Sequence, residues 1–157
     1  MSGYQWLLML HVTGAFFLLG GSLIAGLLHV LARRSNRPSE IALLLRLVRV
    51  ALPVLLLGAL MTLVLGVWLV HHAGYSYGTF WVWGALVLWV VANVLGKLGG
   101  DKQAQARKLA ERLAGEGDGE SSELKALLRD PVSNVLNWGA GVAVYAILAL
   151  MIWKPGQ

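Results

Sequence analysis

Four histidines, His11, His29, His71 and His72, are the side chains of this 157-residue chain whose type and placement invite chemistry. Imidazole nitrogens ligate haem iron and copper, and they exchange protons near neutral pH. His11 lies 22 residues before Arg33, and His71 lies 22 residues after Arg49. At about 1.5 Å per helical residue, both stand roughly 33 Å from a set of arginines, so the spacing predicts that they share one level. On neighbouring antiparallel helices, His11 with His71 or His72 could ligate a b-type haem or a copper ion. Tyr75, Tyr77 and Lys154 lie near that level and could meet haem propionates, although no arginine does. The plain alternative is a set of solvated or capping histidines at a membrane interface.

His29 is 18 residues from His11, five helical turns, so both project from one face about 27 Å apart. His29 stands one turn before Arg33, Asn93 one turn before Lys97, and Asn134 one turn after Asp130. These spacings put His29, Asn93 and Asn134 at a common inner level, and with Asn137 they make up the expected inner polar cluster, because polar side chains at membrane depth find each other. No second histidine is available there, so a bis-histidine inner haem cannot form within one chain.

The elements that must position these groups are four apolar stretches, about 6–32, 50–70, 79–98 and 132–153. Each is long enough for a helix to cross a bilayer. Backbone donors in hydrocarbon must be satisfied within their own segment, so the predicted fold is all-α, an integral membrane four-helix bundle. The expected helices are about 4–32, 48–71, 79–98 and 131–153 of a single domain over 1–157. The first stretch is too long for a signal peptide and lacks a small-residue cleavage pattern, so it reads as a retained helix.

The composition is 57% apolar and 13% charged, with no cysteine, so no disulfide, thiolate metal site or thioether-linked haem is available. The net charge of +5 does not point to nucleic acid, because Arg33, Arg34, Arg37, Arg46 and Arg49 gather beside a single acidic residue, Glu40. Under the positive-inside rule that turn is cytoplasmic and both termini are outside, in a multi-pass protein of the inner membrane. Tyr4, Trp6, Trp68, Tyr75, Tyr77, Trp81, Trp83 and Trp153 all fall at the opposite, outer ends, as an interfacial belt should.

Residues 99–130 form the one hydrophilic stretch, with seven basic and seven acidic residues when Lys97 is included. It reads as a solvated cytoplasmic connector. Gln103 to Ala114 has helical composition with an Arg107/Glu111 pair, Gly115 offers a stop, and 115–122 reads as a mobile linker. A short helix around 123–129 then precedes Asp130 as cap and Pro131 in the first turn of the last helix.

No Asp, Glu, Lys or Arg lies centrally in any predicted span, and no inverted repeat or broken helix is evident, which argues against a proton-coupled secondary transporter. Pro53 is expected in the first turn of its helix. Gly14, Gly20, Gly21, Gly26, Gly58, Gly66, Gly84, Gly139 and Gly141 would let helices approach closely, or leave a slot for a porphyrin.

Leu10-His11-Val12-Thr13-Gly14-Ala15, the Gly20-Gly21 pair, the arginine-rich turn and the terminal Leu150-Met151-Ile152-Trp153-Lys154-Pro155-Gly156 resemble a bacterial family of predicted four-helix integral membrane proteins with a domain-of-unknown-function label. The resemblance spans most of the chain. More distantly, the arrangement is similar to HemJ-type membrane protoporphyrinogen oxidases and to copper-resistance D-like membrane domains. The HemJ resemblance implies a haem-linked role for His11, and it extends to Gly21, Asn137 and Lys154-Pro155. Where that family has a Trp-Leu-His-x-Lys pattern, this chain has Trp81-Val82-Trp83-Gly84-Ala85-Leu86, and its acidic residue after the asparagine is replaced by Trp138. The resemblance therefore implies a shared bundle and a haem pocket, not porphyrinogen oxidation.

Three functions follow as expectations. The first is a haem b redox or electron-transfer bundle with His11 and His71 or His72 as axial ligands. The second is a cofactor-free structural or assembly subunit that packs in the lipid bilayer against another membrane protein or in a homo-oligomer. The third is copper handling through Met9, His11, His71, His72 and Met151, weakened because Met9 and His11 are two residues apart and point to different faces.

Overall fold

The computed structural model describes residues 2–155, which form helices and short connections with no strand among them. Met1, Gly156 and Gln157, the ends of the expected 1–157 domain and of the terminal motif, lie outside the described residues. Helix α1 covers Gly3–Arg34, α2 Pro38–His72, α3 Phe80–Gly115, α4 Ser122–Leu128 and α5 Pro131–Trp153. Among the described residues, four helical segments are long and apolar enough to cross a membrane, contributed by α1, α2, α3 and the α4–α5 stretch.

The helix starts follow local chemistry. Ser2 and Gln5 form a reciprocal capping box on α1, Ser121 accepts the Leu124 N–H on α4, and Asp130 Oδ2 accepts the Ser133 N–H at 2.8 Å on α5. Two helices run well past their apolar cores. α2 begins at Pro38 rather than near 48, so Pro53 sits inside the helix instead of in its first turn. α3 continues through Gly99 and Gly100 to Gly115 without interruption.

Packing is pairwise, with α1 against α2 and α3 against α5, and α2 joined to α3. α1 and α2 interlock at glycines: a Cβ on Gly58 would lie 2.6 Å from Leu18 N and 2.8 Å from Gly14 O, and one on Gly14 would lie 2.8 Å from Met61 Cβ. No larger residue fits there without moving backbone. α3 and α5 meet in the same way at Gly99, where a Cβ would lie 2.6 Å from Asn137 Oδ1. The Trp89 indole N–H donates to Ala59 O at 3.3 Å and fastens α3 to α2.

The hydrophilic segment is not a solvated connector. Beyond the apolar spans, the overhanging parts of α2 and α3 enclose a core of their own with α4: Ile41, Ala42, Leu45, Ala106, Leu109, Ala110, Leu124 and Leu128, joined by Ala32 of α1. Leu124 is 1% exposed and Ala106 and Ala110 are 0% exposed, so α4 is a lid on a packed cap. The Arg107/Glu111 pair forms at 2.8 Å, and Arg46 of α2 approaches the same carboxylate at 3.8 Å. The 115–122 linker is likewise tied down, because Asp118 accepts both the backbone N–H and the hydroxyl of Ser39.

Candidate functional site

The two ends of the bundle carry different polar groups. At the aromatic end, the α1/α2 register decides where the histidines fall. His11 lies against Gly66: a Cβ added there would stand 2.9 Å from His11 Cε1 and 3.3 Å from Nδ1. His72 lies against Tyr4, with ring centroids 6.2 Å apart and an interplanar angle of 17°. His11 is thus opposite Gly66, five residues before His71, which places it about 7.5 Å deeper than His71 along α2. His71 and His72 are exposed, whereas His11 is half-buried with its Nδ1 fully covered and without a hydrogen-bond partner.

The levels differ because α2 overhangs: Arg49 is not the turn residue of its helix, so counting from Arg33 and from Arg49 starts at two heights. His11 and His71 therefore do not face one another across a common gap, and the interlock at Gly14 and Gly58 leaves no slot between α1 and α2. This arrangement does not fit a haem held by His11 and His71 or His72 within one chain. Among the described residues, no cluster of three or more His, Asp or Glu side chains is placed to hold a metal ion. Met9 is exposed on α1, and Met151 lines the interior between α2, α3 and α5.

The groups considered for propionates are engaged with the protein itself. Lys154, in the left-handed conformation that closes α5 (φ 40°), donates to Tyr75 Oη at 3.2 Å and lies 4.9 Å and 5.6 Å from the Tyr75 and Trp81 ring centroids. Tyr77 donates its hydroxyl to Val67 O at 3.2 Å. Trp81 meets Tyr75 edge-on at 5.3 Å and is 3% exposed, with an indole N–H that has no hydrogen-bond partner. Beneath it, a cavity of about 40 Å³ is lined by Thr62, Gly66, Trp81, Trp89 and Met151. That is room for a few water molecules at most.

At the arginine end, the expected cluster forms in part. His29, 8% exposed, approaches Asn134 Oδ1 through Nε2 at 3.4 Å, and Arg33 Nη1 donates to the same oxygen at 3.2 Å. The Asn134 amide nitrogen donates to Asp130 O at 2.7 Å, which fixes Oδ1 as the acceptor. Asn137 belongs to a neighbouring set: its amide donates to Gly99 O at 3.2 Å and to Ser133 Oγ at 3.4 Å, while Ser133 donates to Gly99 O at 2.7 Å. Asn93 joins neither, because it is exposed and donates to Trp89 O one turn back on α3. Arg33 and Ser133 were not among the expected cluster residues. The signal for Ser133 was present in its four-residue spacing from Asn137.

A family model described as a predicted integral membrane protein (DUF2269) matches residues 5–155. No curated protein and no solved structure matches the chain.

Proposed function

The chain belongs to the DUF2269 family of predicted integral membrane proteins, and from that premise we propose that it is a cofactor-free structural or assembly subunit, working by lateral packing in the inner membrane with its arginine end in the cytoplasm. The observation that carries this reading is how the interior is filled. The glycine contacts bring α1 onto α2 and α3 onto α5, and the cavity of about 40 Å³ among α2, α3 and α5 cannot admit a porphyrin or a small-molecule substrate. The outer surface, in contrast, keeps small residues open: a Cβ on Gly20, Gly26 or Gly141 would meet nothing within 4 Å. Helices of a partner or of a second copy can approach closely at such positions.

The test uses the absence of native cysteine. A Gly20→Cys or Gly141→Cys variant in native membranes, oxidised gently, should give a discrete crosslinked species. A Gly58→Cys control sits inside the α1/α2 contact. The same protein, purified in detergent, should be colourless both oxidised and dithionite-reduced. Two results would overturn the reading: a b-type spectrum abolished by His11→Ala, or a protein that neither crosslinks nor co-purifies with any membrane protein.

A further inference from the structure

Among the described residues, the arginine end holds a cation, Arg33, with no carboxylate within 4.0 Å. Arg33 is half-buried, and its one hydrogen bond goes to a neutral amide oxygen, Asn134 Oδ1. Among the described residues, the side chains paired with carboxylates within 4.0 Å are Arg46, Arg107 and Lys125, not Arg33. The neighbouring imidazole supplies no negative charge either. Because Asn134 Oδ1 can only accept, His29 presents an N–H from Nε2, and its Nδ1 stays covered with no partner. His29 thus closes the protein side of the cluster and shares the oxygen that orients the guanidinium. Among the described residues, no other side-chain hydrogen bond takes up the remaining donors of the guanidinium fork.

The height of this cluster identifies what lies outside. Ser133 and Asn137 bond to Gly99 O, and Gly99 follows directly on Leu98, where the apolar run of α3 ends. Asn134 is on the same turn of α5, so the guanidinium it holds lies just past the hydrocarbon boundary, the level of lipid phosphates. A planar fork of donors pairs two-fold with phosphate oxygens, and an unneutralised half-buried charge gains more from such a pair than an exposed one. We propose that Arg33, oriented by Asn134 and backed by His29, binds the phosphate of an anionic membrane phospholipid where α1 meets α5.

The proposal is independent of whether the protein self-associates. Its test is native mass spectrometry of detergent-purified protein exchanged into mixed micelles of phosphatidylglycerol or phosphatidylcholine, with inorganic phosphate as a third arm. Wild type should retain phosphatidylglycerol several-fold more than Arg33→Gln, with Arg33→Lys between them because it keeps the charge and loses the fork. Arg34→Gln, one residue along and exposed, should match wild type. Circular dichroism and elution volume identify a variant that has failed to fold, in which case the Arg33→Lys comparison decides. Equal retention by wild type and Arg33→Gln, an equal loss in Arg34→Gln, equal retention of phosphatidylcholine, or saturation by inorganic phosphate alone would overturn the lipid assignment.

Discussion

Asp118 and Ser39, 79 residues apart, are joined twice: Oδ1 accepts the Ser39 backbone N–H at 2.6 Å and Oδ2 accepts its hydroxyl at 2.7 Å. Ser39 is in the first turn of α2, whose own cap residue, Arg37, provides no side-chain acceptor. The carboxylate of a distant linker therefore does the work of an N-cap. Asp118 reaches it from a left-handed backbone conformation (φ 58°), next to Gly117 at φ 120°.

Removing that carboxylate should loosen the linker and the start of α2 together. In Asp118→Ala, hydrogen exchange should quicken over residues 115–121 and 38–41 at neutral pH, while the membrane spans stay protected. Unchanged exchange at residues 38–41 would mean that the contact does not hold the helix start.

The same contact predicts a pH dependence. The two Ser39 hydrogen bonds, side chain first, hold the Asp118 carboxyl below its ordinary value of 3.8, with the charge of Arg37 adding to the effect. A depressed folded-state pKa means that the stabilisation is fully present above the ordinary value and is lost as pH falls through the lowered one. The exchange difference between wild type and Asp118→Ala should therefore persist at pH 5 to 7 and shrink only under acid conditions below the usual carboxylate range.

The α1/α2 interlock predicts opposite outcomes for two glycines. Gly58→Leu must displace Leu18 and Gly14 backbone atoms and should cost about 1–3 kcal/mol, or more if the pair separates. Gly20→Leu has open space and should be nearly neutral. Reversible unfolding in mixed micelles reads both. Similar losses for the two variants would place the helix contact elsewhere.

The cap should be separable from the spans. Leu124→Ala removes a side chain that is 1% exposed, and the expected loss is about 2–5 kcal/mol. Limited proteolysis should then cut within residues 115–130 of the variant while the four spans remain protected by detergent. Wild-type resistance in the variant would show that α4 is not held by this core.

Asn134 and Asn93 offer a matched comparison at the arginine end. Asn134→Leu removes the shared acceptor of His29 and Arg33 and should destabilise by about 1 kcal/mol, whereas Asn93→Leu loses only a bond to its own helix and should be near neutral. Thermal unfolding of both variants in the same detergent is sufficient to tell them apart.

The sequence by itself determined the four spans and most of their ends. Apolar runs need no partner to be recognised, and Asp130, Pro131, Gly115 and the Arg107/Glu111 pair act within one or two turns of themselves. What depends on two helices at once was decided by the tertiary structure. The level of His11 against α2 is set by the contact of Gly14 with Gly58 and by the overhang of α2 from Pro38, and neither is visible in a count from Arg33 and Arg49. Likewise, polar composition made 99–130 look solvated, since the few leucines and alanines that bury themselves there, Leu109, Leu124 and Leu128 among them, find their partners on α2. Asn134 and not Asn93 meets His29 because a helix fixes the height of a side chain, while the direction it faces is relative to neighbours that only packing supplies.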